Sequence, residues 1–317
     1  MSTLLTIVLP LLLVVLTGYI AGAGKWLDIA AARTLSRFVF MFAMPIAILN
    51  FYTKAPPPGL ELVPFLTGYF LAMISIIALA AWTGFRLLDL DIRQSGAHAF
   101  VSTCGNAVFL GLPIALQVEG WGQPFLMLMI LEGIFVFGIA TTLMGWKSDE
   151  RENRSALSKL TAGIVKSSAT PFRNPIVLAS IAGVLIAYSG VTFPTPVNTF
   201  LNTFGPVAGP TGLFVLGLYI ATLPREGVKS LWSNIAAASA VKLLVFPVIA
   251  GLVVYIFTGA DMRLTGAVVL FTCMPPAVAS LVQASHYRIY ERETAVAVSV
   301  ASILSLLTLT IVLLIFA

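Results

Sequence analysis

The sequence predicts an all-α polytopic membrane protein of ten transmembrane helices, arranged as two inverted five-helix repeats, with helices four and nine broken at prolines and crossed. Three observations predict it. Of 317 residues, 59% are hydrophobic and only 10% charged, with a mean hydropathy of +0.99; soluble domains carry about a quarter charged residues. Apolar runs of bilayer length follow one another from end to end. The stretch leading into the fourth run returns, altered, at the ninth.

Runs of roughly 17 to 25 apolar residues mark spans, and they fall at about 4–24, 35–53, 63–85, 96–118, 124–145, 174–190, 200–222, 232–257, 265–285 and 294–316. No basic residue precedes the first run, whose first cation is Lys25, so no cleaved signal peptide is expected. Connections are short except one. The chain therefore divides into a first repeat (1–146), a linker (147–173) and a second repeat (174–317). The linker core, KSDERENRSALSK, reads as a solvated connector.

Charge sets the orientation. With the N-terminus outside, Lys25, Arg33, Arg37, Arg86, Arg93, the linker cations, Arg225, Lys229, Arg288 and Arg292 are cytoplasmic, and only Lys54 and Arg263 face out. Cytoplasmic loops carry the excess of Lys and Arg, which places both termini on the outer, periplasmic side of an inner-type cell membrane. The net charge of +5 is then topology, and no nucleic-acid partner is expected. Cys104 and Cys273 lie in apolar runs without ligand spacing and read as small core residues, leaving no metal site or cofactor implied.

DIRQSGAHAFVSTCGN begins at Asp91 and DMRLTGAVVLFTCMPP at Asp261. Asp, Arg, Ser/Thr, Gly and Ala match at one offset, and Thr-Cys matches after a shift of one. Pro10 and Gly18 in span one keep the separation of Pro175 and Gly183 in span six. Five spans per half force the second copy upside down. Inverted repeats suit a transporter, whose halves can mirror each other as a site faces one side and then the other.

Span four carries GNAVFLGLPIAL, with an amide, two glycines and a proline. Proline lacks an N–H and crowds the preceding turn, so a break is expected near Pro113 and near Pro275 or Pro276. Proline also suits a first helical position, so these residues are expected to open second half-helices. Irregular backbone at membrane depth needs protein or a wet cavity around it. Two crossed breaks would present free N–H groups and positive dipole ends to an anion; two unconnected proline kinks are the plain alternative. Asn106 either bonds between helices or donates its amide to a substrate oxygen, and Asn174 either caps the Pro175 helix or also meets cargo.

Glu132 and Lys242 are the ionisable residues deep in spans. Intramembrane charge is costly and points to function. Helical rise brings the two to within roughly 5 Å of one depth, so either they form a static pair or one titrates during transport. His98 and His286 stand at span ends and read as interfacial.

LSRFVFMFAMPIAILN in span two, GNAVFLGLPIAL in span four, RNPIVLAS at span six, VKLLVFPV in span eight and MPPAVASLVQASHY in span nine together resemble the auxin efflux carrier family of membrane transporters. That family includes plant auxin exporters and bacterial permeases associated with malonate or malate. The resemblance implies a fold akin to bile-acid and sodium/proton transporters, with a panel domain against a transport domain that holds the crossed helices. It implies that Asn106 and Asn174 contact a carboxylate, that the proline crossover lies at Pro113 and Pro275, and that the protein is a homodimer. Span three lacks the aspartate and lysine of plant members, so Glu132 and Lys242 stand in for charge balance. The long regulatory loop of many plant members is also missing.

The expected function is secondary active transport of a small organic acid by elevator-type alternating access, with no enzymatic activity. Malonate-like, monocarboxylate and auxin-like cargo all fit, and coupling to protons, to sodium or to no ion stays open. A sodium-coupled bile-acid-type symporter would want acids among the amides at the crossing, where Gln283, Ser280 and Asn106 stand without one. A passive anion channel would show flux without saturation. An intramembrane hydrolase would need a base beside Ser280, and His286 lies six residues along the chain.

Overall fold

The structure, a computed structural model, describes residues 9–146, 175–222 and 231–317. Its described residues are helical apart from short connections and one backbone bridge. In chain order the helices are α1 (Leu9–Ala23), α2 (Ile29–Tyr52), α3 (Leu62–Leu87), α4 (Ile92–Thr103), α5 (Leu112–Ala115), α6 (Gly122–Met144), α7 (Pro175–Ser189), α8 (Thr195–Ala221), α9 (Trp232–Phe257), α10 (Met262–Thr272), α11 (Val278–Tyr287) and α12 (Glu291–Phe316). Six of them, α2, α3, α6, α8, α9 and α12, are long and apolar enough to cross a membrane. Large apolar side chains such as Leu71, Val248, Leu252 and Leu307 stand exposed on the outside of the bundle. Such a surface is stable against lipid rather than water. The linker and Asn174 lie outside the described residues.

The helix starts follow local chemistry. Asp28, Asp91 and Asp261 are N-caps, accepting from the backbone N–H of Ala31 (2.9 Å), Gln94 (2.7 Å) and Leu264 (3.0 Å). Gln94 returns its side-chain oxygen to the Asp91 N–H, closing a capping box. Asp28 explains why α2 starts earlier than its apolar run.

Four helices contain a wide turn with i→i+5 bonding: Val39–Ala43, Ala107–Gly111, Glu132–Val136 and Val241–Val245. Three of these end two residues before a proline, namely Pro45, Pro113 and Pro247. A proline ring collides with the carbonyl four residues back, and the widened turn moves that carbonyl aside. Proline is thereby absorbed without ending the helix.

The helices pack in two groups. Helices α1, α2, α7 and α8 contact one another, with α1 lying along α8 and α2 against α7. Helices α3, α4, α6, α9, α10, α11 and α12 form the other, with α3 between α4 and α9 and with α10 on α9. The α1–α8 contact is made by glycine: a Cβ on Gly18 would strike the Phe214 carbonyl, and one on Gly217 the Val15 carbonyl. Small residues of this kind let membrane helices approach to backbone distance. The groups meet where Gly209 and Gly212 of α8 lie against Pro113 and Phe109.

Candidate functional site

Helix α4 stops at Thr103, and Cys104, Gly105 and Asn106 are non-helical before winding resumes at Ala107. Helix α10 stops at Thr272, and Cys273–Ala277 forms a second gap before α11. The gaps pair as a short antiparallel bridge, Gly105 opposite Pro276. Asn106 N–H donates to the Pro275 carbonyl at 2.7 Å, and Ala277 N–H donates to the Cys104 carbonyl at 3.0 Å. Backbone groups that a continuous helix would satisfy within one span are here satisfied between two, as an apolar surrounding demands.

This placement corrects two expectations. The first interruption lies seven residues before Pro113, which sits inside the resumed helix because the wide turn Ala107–Gly111 accommodates its ring. Pro275 and Pro276 do lie within the second gap, but they precede α11 rather than open it. Of the amide hydrogens in the gaps, those of Asn106 and Ala277 are taken by the opposite gap, that of Gly105 by Glu132, and those of Cys104 and Cys273 by their own helices. Those of the first turns after each gap, beginning at Ala107 and at Val278, have no acceptor within their own helix. The Asn106 carbonyl accepts from the Leu110 and Gly111 amides, both at 3.2 Å, while its side chain provides no cap. It is 3% exposed, so both faces are closed to it.

Both intramembrane charges serve the first gap. Lys242 Nζ donates to the Thr103 carbonyl at 2.8 Å and lies 5.1 Å from the centre of the Phe246 ring. Glu132 Oε1 accepts from Gly105 N–H at 3.1 Å, while Oε2 has no partner. The cation thus meets the negative carbonyl end of α4 and the anion meets an amide beyond it, the signs the helix dipole favours. The two are not joined as an ion pair; among the described residues the one ion pair is Arg263 with Asp261 at 3.8 Å. Each is set in a wide turn, Glu132 at the start of one and Lys242 one residue into another.

Gly105 is closely packed. A Cβ there would lie 3.0 Å from Lys242 Nζ and 3.3 Å from the Met274 Cβ. Ser280 is buried in the first turn of α11, and Gln283 is half-buried one turn on. A groove of about 510 Å³ along α9, α10 and α12 reaches the gaps only at Cys273. His98, expected at the interface, is instead fully buried, its Nδ1 3.2 Å from the Tyr290 hydroxyl, while His286 is exposed. The sequence signal missed there was a serine, alanine and glycine environment on every side of His98, which a fold buries easily.

Membrane-crossing helices with two mutually paired interruptions, bracketed by buried opposite charges, define a polytopic membrane transport protein. The chain belongs to the auxin efflux carrier family: the family model described as "Membrane transport protein" matches residues 3–313. It is similar to the uncharacterized transporter YfdV of Escherichia coli, 21% identical over 291 residues that cover 90% of this chain and 88% of the relative. It is also similar to the uncharacterized transporter MJ1031 of Methanocaldococcus jannaschii, 24% identical over 221 residues, 68% of each chain.

Proposed function

We propose that this protein is a secondary transporter of small organic acids, carrying a carboxylate between the two helix groups by elevator-type alternating access. The observation that carries the reading is the paired gap itself: two interrupted helices are joined backbone to backbone, and Asn106 stands at the head of one resumed helix with its side chain not used as a cap. First-turn amides and a positive dipole end suit a carboxylate. Asn106 and Asn174 would orient it. The group of α1, α2, α7 and α8 would stay fixed, and the group holding the gaps would slide past the glycine face of α8.

The matching capped starts at Asp91 and Asp261, each followed by a gap after one short helix, support reading the chain as ten spans in two inverted repeats. We further propose a homodimer in an inner-type cell membrane with both termini outside. Sodium-coupled symport gains support from one observation: Glu132 puts at the gap the acid that the sequence did not place there. Lys242 already supplies a cation at the same gap, which favours the reading without sodium. A passive channel would need an open path past Asn106, and that residue is buried.

The test is thermal stabilisation of the purified protein by malonate, malate and indole-3-acetate, repeated with Asn106→Ala. At least one acid should raise the Tm of the wild type, and the variant should lose that rise. No shift with any acid, or an equal shift in the variant, refutes the site. Exchange of labelled acid in proteoliposomes, with and without sodium, separates the two couplings.

A further inference from the structure

Among the described residues, seven buried side-chain atoms have no hydrogen-bond partner in the protein, and six of them lie in the helix group that holds the gaps. They are Tyr69 Oη, His98 Nε2, Glu132 Oε2, Ser239 Oγ, Ser280 Oγ and Thr294 Oγ1, one each from α3, α4, α6, α9, α11 and α12. Each such atom costs about 1–3 kcal/mol if left dry. Buried polar groups in folded proteins are almost all bonded to protein or to ordered water. Water is small enough to reach them and carries both donors and acceptors.

These atoms are ordered in depth. Thr294 is on the first turn of α12, where its N–H donates to the Tyr290 carbonyl, and the Tyr290 hydroxyl meets His98. His98 lies five residues before the end of α4, about 7.5 Å at the helical rise. Ser239 lies three residues before Lys242 on α9, about 4.5 Å nearer the same end of the bundle. Helix α9 packs on both α4 and α12. Glu132 and Ser280 then stand at the gaps. The α11–α12 corner is held in a costly shape, with Arg288 (φ 53°) and Tyr290 (φ 56°) both left-handed. That shape brings the Tyr290 ring edge-on to His98.

We propose that these atoms line a water-filled path that passes protons between Glu132 and the end of the bundle where α4, α9 and α12 begin, by way of the buried His98. The proposal rests on the transporter reading of the same gaps and adds proton coupling to it. With its proton on Nδ1 donated to the Tyr290 oxygen, neutral His98 takes a second proton on Nε2. It releases that proton from Nε2 to the next water, and the chain of waters delivers it to Glu132 Oε2, turning the carboxylate into a neutral acid. Reversal leaves the carboxylate, and Lys242 keeps its charge throughout. Of the elements packed on α4, only the α11–α12 corner brings a titratable group, Tyr290, against the ring among the described residues, and His98 makes no ion pair there.

Two measurements test this. In radiolytic hydroxyl-radical footprinting of the purified protein, ordered water labels the side chains beside it whatever their exposure. His98, Tyr290 and Cys104 should label well above the equally buried Trp121 and Phe125; labelling no greater than those controls overturns the path, whether or not the protein transports. In proteoliposomes with an enclosed pH dye, Ser239→Val and Thr294→Val should cut malonate-driven proton movement roughly ten-fold or more, while exchange of labelled for unlabelled malonate persists. Both processes unchanged, or both lost in parallel, overturns the proposal. A wild type that exchanges none of malonate, malate and indole-3-acetate overturns the transport reading instead, and the footprint then decides the path alone.

Discussion

Lys242 and Glu132 brace one three-residue gap without pairing with each other: the ammonium takes the Thr103 carbonyl just before it at 2.8 Å, and the carboxylate takes the amide of its middle residue, Gly105, at 3.1 Å. A carbonyl at a helix end and an amide in a non-helical stretch are the groups an interruption leaves unsatisfied. The two charges therefore make the break tolerable in an apolar bundle, and each offsets the field of the other across it. Neither would be stable alone, because an unpaired buried charge is far costlier than an unpaired dipole.

Removing both charges should accordingly cost less than the two single removals added together. Lys242→Met is expected to destabilise by about 3–5 kcal/mol, the usual penalty for stranding a buried partner. The double variant Lys242→Met/Glu132→Gln should cost less than the sum of the single variants by about 1 kcal/mol or more. Chemical denaturation or Tm in one detergent reads both. Strict additivity would mean that the two act on the gap independently.

Glycine at position 105 is set by space. Gly105→Ala puts a methyl group 3.0 Å from Lys242 Nζ and 3.3 Å from the Met274 Cβ, and overpacking of this kind costs about 1–3 kcal/mol. Gly138→Ala, in α6, is the control: a Cβ there meets nothing within 4 Å, and a helical glycine replaced by alanine gains about 0.5–1 kcal/mol. Opposite Tm shifts for the two substitutions are expected. A neutral Gly105→Ala would show that the gap is looser than its contacts.

The spans were legible because bilayer length and apolarity are local properties. The runs read at 35–53, 63–85, 124–145, 200–222, 232–257 and 294–316 all contain long apolar helices. Asp91 and Asp261 were legible as a matched pair, and each caps a helix that soon stops. The position of the first break was not legible, since it depends on bonds from Cys104 and Asn106 to residues some 170 positions away. Proline looked like the stronger breaker, yet a wide turn absorbs Pro113. The common depth of Glu132 and Lys242 could be read from helical rise, but their partners, Gly105 and Thr103, could not, since both are backbone atoms exposed only once the break forms.

The two candidate residues in span four should therefore separate in function. Asn106→Ala removes a side chain at the head of the resumed helix, and loss of the acid-induced Tm rise is expected. Pro113→Ala restores an N–H to a turn that is already helical, so the gap, its bridge and at least part of the Tm rise should remain. Equal loss in both would move the site toward the wide turn.

The boundary between the helix groups offers the most direct check on motion. A Cβ built on Gly212 would lie 3.2 Å from the Phe109 Cα and 3.3 Å from its carbonyl oxygen, so Phe109→Cys and Gly212→Cys stand side by side and are to be joined by a short bifunctional thiol cross-linker that reduction cleaves. That link joins the resumed half of span four to α8, so it should abolish acid exchange in proteoliposomes and release it on reduction. The control pair, Gly84→Cys with Ser95→Cys, joins α3 to α4 within one group, where a Cβ on Gly84 would lie 3.3 Å from the Ser95 Cβ. Its cross-link should leave exchange intact. Both pairs need Cys104 and Cys273 replaced by alanine, with Tm showing that the background folds. Exchange that continues across a closed Phe109–Gly212 link would exclude sliding between the groups, because a covalent bond at the boundary forbids the relative movement that an elevator requires.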